Sequence, residues 1–301
     1  MKNMPRFVRF VWFPVLLFAL AGCSSAPPGP ETKATPKPEP AVAGQRFQHD
    51  GVDLYYEVYG SGDPLLLIHG NGGNGANFKA EIEHFRPNYQ VIVMDSRDQG
   101  RSGDSPDKIN YEKMADDQAA LLDLLKVGPA NVVGWSDGGI EALLLGIRHP
   151  EKVKKIVSMA ANLTPAGLHP DALKWIRESV GELKKTATTD AQARRNLKVM
   201  EMMLTEPQID VKALEKITVP TLILASDHDL IVDEHTLDIY HHIPNSQLNI
   251  FSNALHTIPL DDPSRFTAVI DPFLKDTYRQ RDRMGEALKS FETAPQPAAQ
   301  K

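Results

Sequence analysis

The sequence lacks several features that would place it in particular classes of protein. It contains a single cysteine, Cys23, so a disulfide bond within one chain is excluded. It has no basic excess, because 33 Lys and Arg residues face 39 Asp and Glu residues, and a nucleic-acid partner is therefore not expected. With 42% hydrophobic residues, the chain has enough apolar material for a sizeable core without covalent cross-links.

The N-terminal residues have the pattern of an export signal. Basic residues precede the apolar run VWFPVLLFAL, which is short for a membrane-spanning helix. The following Leu-Ala-Gly-Cys resembles the lipobox of bacterial lipoproteins. The resemblance implies a cleaved signal peptide over residues 1–22 and acyl chains, such as palmitate, on Cys23. An ordinary signal with a chance cysteine and an uncleaved membrane anchor remain alternatives. Ser24 after the cysteine resembles the outer-membrane pattern of Gram-negative lipoproteins.

Residues 23–44 are rich in Pro, Ala and Ser and offer little to bury. Such a composition predicts a disordered tether that holds a folded domain away from a membrane. Together these features predict an exported protein that is lipid-anchored to the cell envelope.

Short apolar runs and helical segments alternate along the rest of the chain. Most of these runs are continuously apolar, which indicates strands buried on both faces. The predicted strands are residues 46–50, 54–60, 64–70, 90–95, 131–134, 153–160, 220–226 and 247–251. The predicted helices are residues 74–85, 111–126, 137–148, 233–242 and 263–275. The alternation predicts an α/β fold with a mostly parallel central sheet flanked by helices.

Residues 162–216 interrupt this alternation because they contain helical patterns and no convincing strand. Ligands of open α/β sheets bind at the carboxyl ends of the strands, so helices inserted there are well placed to form a cap. The predicted domains are a core at 45–161 and 217–277, a helical cap at 162–216 and a C-terminal tail at 278–301.

A G-x-S-x-G string centred on Ser136 joins a predicted strand to a predicted helix. A sharp strand-to-helix turn of this kind exposes a nucleophilic serine and needs small neighbours. An acid and a histidine should follow it along the chain. Asp227 and Asp229 follow one predicted strand, and His256 follows the last one, so the order is serine, acid, histidine.

These motifs, with His69-Gly70-Asn71-Gly72 and Asp95 to Ser102, resemble the α/β-hydrolases over residues 50–275. The resemblance implies a catalytic triad of Ser136, Asp229 and His256. Asp227 and Asp233 are the alternative acids. It also implies an oxyanion hole made by the backbone N–H groups of Asn71 and Asp137. The sequence departs from the usual family pattern at Asp98-Gln99, at Ala225 and at Leu255.

The chemistry implied is that of a serine esterase, which transfers the acyl group of an ester, thioester or activated amide to water. C–C bond hydrolases and cofactor-free perhydrolases keep the same triad, and a noncatalytic binding protein is a further alternative. No cofactor is expected. No metal is expected either, because the histidines lack an HExxH spacing or a cysteine ligand.

The acid beside the candidate nucleophile has two interpretations. Asp137 begins a predicted helix, where a carboxylate suits the positive end of the helix dipole. Alternatively, Gly-Trp-Ser-Asp-Gly-Gly resembles the biphenyl-hydrolase-like branch, which cleaves amino-acid esters and implies that Asp137 holds a substrate ammonium. Trp135, Met159 and Met203 are further candidate substrate contacts.

Overall fold

The computed structural model describes residues 42–279, 281–282, 284–286 and 288–289. The predicted signal peptide, Cys23 and most of the predicted tether and tail lie outside the described residues. None of the helices in the described part of the chain combines the length and the apolar character that a bilayer crossing requires.

Eight strands form a single sheet in the order β1-β2-β4-β3-β5-β6-β7-β8. Their bounds are β1 Val42–His49, β2 Val52–Tyr59, β3 Asp63–Ile68, β4 Tyr89–Met94, β5 Ala130–Trp135, β6 Val153–Met159, β7 Thr221–His228 and β8 Ser246–Leu255. The strands β1 and β2 pair antiparallel to each other, and β2 pairs antiparallel to β4. All the other pairs in the sheet are parallel, so the predicted fold class is confirmed.

Helices connect the parallel strands. Their bounds are α1 Lys79–Phe85, α2 Tyr111–Leu125, α3 Asp137–Arg148, α4 Pro170–Thr186, α5 Ala191–Met202, α6 Asp233–His242, α7 Ile258–Asp261 and α8 Pro263–Lys275. The segment 74–85, predicted as one helix, divides into a 3₁₀ turn at Gly75–Phe78 and α1. Asn74 caps this turn because its side chain accepts from the N–H of Ala76.

The core lies on both faces of the sheet, as the continuous apolar runs predict. Every residue of β5 is buried, and the inner residues of β3 are at most 1% exposed. Burying each large aliphatic side chain contributes about 1.5–3 kcal/mol. The central strands are therefore rigid supports for the loops at their carboxyl ends.

The connection from β6 to β7 carries α4 and α5, which pack against each other. On α4, the residues Ala172, Ile176 and Val180 are buried at helical spacing. The predicted helical insertion before the acid-bearing strand is confirmed. It is joined to the loop after β7 by an isolated bridge between Leu168 and Ile231.

Candidate active site

The turn between β5 and α3 holds Ser136 in a strained conformation, with φ 58° and ψ −119°. A positive φ is uncommon for a residue with a side chain and is typical of a nucleophile elbow. The flanking glycines are required by close packing. A Cβ atom at Gly134 would lie 1.9 Å from the carbonyl oxygen of Gly138, and one at Gly138 would lie 2.0 Å from the carbonyl oxygen of Ile68.

Three of the predicted site residues form a chain of hydrogen bonds at the carboxyl edge of the sheet. His256 Nε2 lies 2.9 Å from Ser136 Oγ, and His256 Nδ1 lies 2.6 Å from Asp229 Oδ1. The carboxylate of Asp229 is 1% exposed. A carboxylate at Nδ1 holds the proton on that nitrogen, so Nε2 is left to accept from the serine hydroxyl.

Backbone donors fix the orientation of the Asp229 carboxylate. Its Oδ2 accepts from the N–H of Ser226 at 3.0 Å, and its Oδ1 accepts from the N–H of Ile231 at 3.2 Å. The backbone on either side of Asp229 therefore holds the carboxylate independently of the imidazole of His256. Each buried oxygen has a donor, as a buried charge requires.

The two alternative acids occupy other positions. Asp227 accepts from the N–H groups of Ala254 and Asn253, which lower the pKa of its carboxyl, and so it anchors the end of β8. Asp233 is the first residue of α6. Among the three candidate acids, only Asp229 contacts His256.

The loop after β3 passes directly over the nucleophile. A Cβ atom at Gly70 would lie 3.1 Å from Ser136 Cβ. In this loop the N–H of Gly72 donates to Gln99 Oε1 at 2.7 Å and is therefore occupied. Within the described residues, the N–H groups of Asn71 and Asp137 donate to no loop, turn or side-chain acceptor. The first N–H groups of a helix have no intrahelical partner, so the N–H of Asp137 is available to a ligand.

Comparison with known proteins shows the family of the chain. A family model described as the alpha/beta hydrolase fold matches residues 63–208. Pimeloyl-[acyl-carrier protein] methyl ester esterase of Photobacterium profundum is 30% identical over 256 residues, which cover 74% of this chain and 98% of that protein. The chain belongs to the α/β-hydrolase family.

Two further proteins resemble this hydrolase over most of its length. Serine hydrolase BPHL of Homo sapiens is 27% identical over 256 residues, which cover 78% of this chain and 87% of that protein. The crystal structure of MGS-M2, an alpha/beta hydrolase enzyme from a Medee basin deep-sea metagenome library, superposes with a TM-score of 0.71. It covers 80% of this chain and 100% of that chain at 22% identity, and so it supports the fold.

The side chain of Asp137 is 3% exposed and points away from open solvent. Its Oδ2 accepts from Asn71 Nδ2 at 2.9 Å, and its Oδ1 accepts from the hydroxyl of Tyr111 at 2.8 Å. Burial raises the pKa of the Asp137 carboxyl to about 6, although both donors lower it. Sequence reasoning missed Tyr111, because nothing local in the sequence connects it to a residue 26 positions away.

The predicted substrate contacts need correction at two positions. Met159 is completely buried in the core. Trp135 is 8% exposed, and its indole N–H donates to the carbonyl oxygen of His256 at 2.8 Å. Trp135 therefore holds the histidine loop, because an indole N–H buried at this depth needs an acceptor. Met203 is half-buried beside the same core, and its contact with substrate stays a prediction.

His69 is a buried structural residue of the hydrolase. Its Nδ1 donates to the carbonyl oxygen of Gly70 at 2.8 Å, and its Nε2 accepts from the N–H of Ser96 at 3.0 Å. Burial lowers the pKa of its imidazole, so the ring is neutral and can accept at Nε2. It therefore joins the loop after β3 to the loop after β4.

A cavity of ≈ 650 Å³ lies between these loops and the cap. Its lining includes Asn71, Gly72 and Gln99 from the loops and Trp175 and Met200 from the cap. The mixture of backbone, amide and apolar groups suits a small organic ligand. Across the described residues, no group of three or more His, Cys, Asp or Glu side chains converges as a metal site would require.

Cations of α5 hold the cap to the loop after β4. Lys198 Nζ lies 2.8 Å from Asp98 Oδ1, and Arg195 Nη2 donates to the carbonyl oxygen of Ser102 at 2.5 Å. Asp98 has a φ of 62°, and its side chain is 1% exposed. The sequence departs from the family's frequent glycine at this position, and the structure shows that the departure places an anion beneath Lys198.

Proposed function

We propose that this hydrolase cleaves small-molecule esters through an acyl-enzyme on Ser136. The observation that carries the proposal is the continuous chain of hydrogen bonds from Ser136 through His256 to Asp229. Thioesters and activated amides present the same electrophilic carbonyl. The names of the relatives support an acyl-transfer reaction, because one is a methyl ester esterase and another is a serine hydrolase.

The mechanism begins with proton transfer at the serine. His256 Nε2 accepts the hydroxyl proton as Ser136 Oγ attacks the substrate carbonyl. Asp229, at 2.6 Å from Nδ1, stabilises the imidazolium that forms. The carbonyl oxygen becomes an oxyanion and accepts from the N–H groups of Asn71 and Asp137, and losing one such donor costs about 3–4 kcal/mol.

Collapse of the tetrahedral intermediate releases the alcohol or thiol, which takes the proton from His256. A water molecule then gives a proton to His256 Nε2 and attacks the acyl-enzyme. The second intermediate collapses to release a carboxylic acid and restores Ser136. Apart from the substrate and water, these steps use only groups of the protein chain.

Labelling and mutation of the serine test this function together. A fluorophosphonate probe should label the wild-type protein at Ser136, and Ser136→Ala should abolish both labelling and hydrolysis of aryl esters. Ser264→Ala is the matched control, because Ser264 is exposed on α8 and its hydroxyl donates to Asp262. Undiminished esterase activity in Ser136→Ala would refute the assignment. Cleavage of β-diketones without cleavage of esters would place the protein among C–C bond hydrolases.

We also propose that the hydrolase is exported and lipid-anchored to the cell envelope through Cys23, at the outer membrane in a Gram-negative cell. Multiple acyl chains bind a bilayer much more firmly than one chain does. Labelled palmitate should enter the wild-type protein, and Cys23→Ala should lose the label and leave the membrane fraction. Ser25→Ala is the control. Membrane retention of Cys23→Ala would contradict the lipid anchor.

A further inference from the structure

The carboxylate of Asp137 joins two parts of the molecule that are distant in sequence. On one side it accepts from the hydroxyl of Tyr111, the first residue of α2. On the other side it accepts from the side-chain amide of Asn71, in the loop after β3. Tyr111 is 1% exposed and Asp137 is 3% exposed, so both hydrogen bonds lie out of bulk water. Hydrogen bonds to a buried charged group are about twice as strong as neutral ones.

The loop that carries Asn71 is rich in glycine. Gly70 precedes Asn71, and Gly72 and Gly73 follow it. Glycines have the largest backbone freedom, so a loop of this composition loses much entropy when it is fixed in one conformation. A donor of the oxyanion hole must lie about 2.7–3.1 Å from the oxygen that becomes negatively charged. An N–H group whose position varies cannot keep that distance. The loop therefore needs contacts that hold the N–H of Asn71 in place.

The side chain of Asn71 supplies such a contact. Its Nδ2 donates to Asp137 at 2.9 Å and also lies 3.4 Å from the carbonyl oxygen of Val199 in α5. The neighbouring N–H of Gly72 is held independently by Gln99. The backbone N–H of Gly72 is therefore occupied, whereas within the described residues the neighbouring N–H of Asn71 is left for a ligand.

We propose that Asp137 is a positioning residue that sets the spacing of the oxyanion hole. Its backbone N–H is one donor, and its carboxylate fixes the side chain of Asn71, whose backbone N–H is the other donor. One residue thus supplies half of the hole and locates the other half, and Tyr111 holds the carboxylate in position. This inference rests on the proposed ester hydrolysis at Ser136.

The same geometry argues against a substrate ammonium at Asp137. Each carboxylate oxygen already has a side-chain donor, and only 3% of the residue is exposed. An ammonium group would have to displace Asn71 and would then release the loop that carries the oxyanion donor. A negative charge near a developing oxyanion is unfavourable, but the amino end of α3 and the two donors compensate it.

Three single substitutions first test the clamp formed by Tyr111, Asp137 and Asn71. Asn71→Ala keeps the backbone N–H and loses only the tether, so kcat for a neutral aryl ester should fall about 10- to 100-fold, less than the 10²–10³ expected for a lost donor. Asp137→Ala should lower kcat by a similar factor, and Tyr111→Phe by less. KM should stay within about threefold, because the tether acts on the transition state.

The double variant N71A/D137A separates a shared role from independent ones. If the two side chains act only through each other, its kcat should lie within about threefold of the slower single variant. The inhibition constant of an arylboronic acid, which forms a tetrahedral adduct on the serine, should rise in step with the loss of kcat. Asn245→Ala is the matched control, because it loses one side-chain hydrogen bond to Thr218 at the opposite edge of the sheet.

Asp137→Asn distinguishes the clamp from a charge that binds substrate. Its amide can accept from Tyr111 and donate to the oxygen of a rotated Asn71 amide, so the tether survives without the charge. The clamp predicts at least a fifth of wild-type kcat for this variant, with neutral and aminoacyl esters affected equally. The variant Asp137→Asn tests the clamp even if Asp137→Ala fails to fold.

Three results would overturn the clamp in a protein whose activity depends on Ser136. The first is a change of less than twofold in kcat for Asn71→Ala. The second is a loss of kcat in N71A/D137A that equals the product of the losses in the two single variants. The third is a rise in KM for aminoacyl esters alone in Asp137→Asn, which would restore the ammonium site. A wild-type protein with no Ser136-dependent hydrolysis would instead refute the proposed function and the clamp with it.

Discussion

The candidate site has two halves that are built in different ways. In the triad half, Asp229 is fixed by the N–H groups of Ser226 and Ile231, which lie within three residues of it along the chain. In the oxyanion half, Asn71 and Gly72 are held by the side chains of Asp137 and Gln99 from other parts of the chain. The acid of the triad half is therefore positioned by nearby backbone groups, whereas the oxyanion half depends on long-range contacts made by side chains.

This difference has a consequence for substitution. A backbone contact survives the replacement of neighbouring side chains, whereas a side-chain tether is lost with a single change. Mutations in the triad half should therefore be severe at the reacting residues and mild elsewhere in the loop. Mutations in the oxyanion half should give graded losses spread over several residues that never touch the substrate.

The largest effect should come from the acid of the triad half. In Asp229→Asn the side-chain amide no longer favours the Nδ1–H form of His256, so kcat should fall on the order of 10⁴-fold. Asp227→Asn, two residues earlier at the end of β7, should change kcat less than about fivefold, because Asp227 anchors β8 instead. Steady-state kinetics on one aryl ester compare the two variants. Equal losses would show that the loop as a whole, and not the Asp229–His256 contact, governs the reaction.

A smaller effect is expected at the second tether of the oxyanion half. Gln99→Ala removes the acceptor from the N–H of Gly72 and should lower kcat about 10-fold with little change in KM. Gln99→Glu keeps an acceptor and should retain most of the activity. Rates for the three proteins, with thermal midpoints to confirm folding, check this expectation. Loss of activity in Gln99→Glu alone would indicate that charge, not the tether, matters at this position.

The cap should influence binding more than chemistry. Lys198→Met leaves the buried carboxylate of Asp98 without its cation, so the cap should detach more easily and KM should rise about three- to tenfold. In that background, Asp98→Gly should recover stability, because glycine accepts the φ of 62° and removes the unpaired charge. Thermal midpoints and KM for both variants test this. A fall in kcat at constant KM would place Lys198 in the oxyanion half instead.

The smallest effect on catalysis should come from a buried carboxyl outside both halves. Glu81 in α1 is 0% exposed, and within the described residues both its carboxylate oxygens lack a partner. Burial raises the pKa of this carboxyl to about 7. Between pH about 4.5 and about 7, this carboxyl therefore keeps its proton in the folded state but releases it in the unfolded state. The free energy of unfolding is therefore highest below pH about 4.5 and falls as the pH rises to about 7.

Glu81→Met should remove this dependence. The free energy of unfolding of the wild-type protein, relative to the variant, should fall by about 3 kcal/mol between pH 4.5 and 8. Denaturant titrations at several pH values measure the difference, and kcat should be unchanged at each pH. A constant difference across this range would show that Glu81 is not buried as a neutral acid.

The sequence predicted the strand and helix pattern well because each element carries a local signal. Continuous apolar runs identified the buried strands, and the absence of such runs identified the helical insertion. The order of serine, acid and histidine, each at the end of a strand, brought Ser136, Asp229 and His256 together as candidates. Their catalytic roles stay predictions until the variants are measured.

Other contacts had no local signal. Trp135 precedes Ser136 in the sequence, and Met159 lies beside Trp135 on the neighbouring strand. Both side chains nevertheless turn into the core. Tyr111 stands at an ordinary helix start, and its local sequence gives no sign of its contact with Asp137. Gln99 departs from the usual family pattern, but its local sequence gives no sign of its hydrogen bond with the N–H of Gly72. Each of these side chains takes its role from a neighbour that the tertiary packing supplies.

The sequence by itself determined which elements form, which face of each is buried and where the reactive groups lie along the chain, because those properties depend on periodicity and on residue type. Only the tertiary structure decided what the carboxylate of Asp137 does. A carboxylate can pair with a ligand, a helix dipole or another side chain, and its choice depends on which donors lie within hydrogen-bond distance. Here Asn71 and Tyr111 are those donors, and they come from segments that meet only in the folded chain.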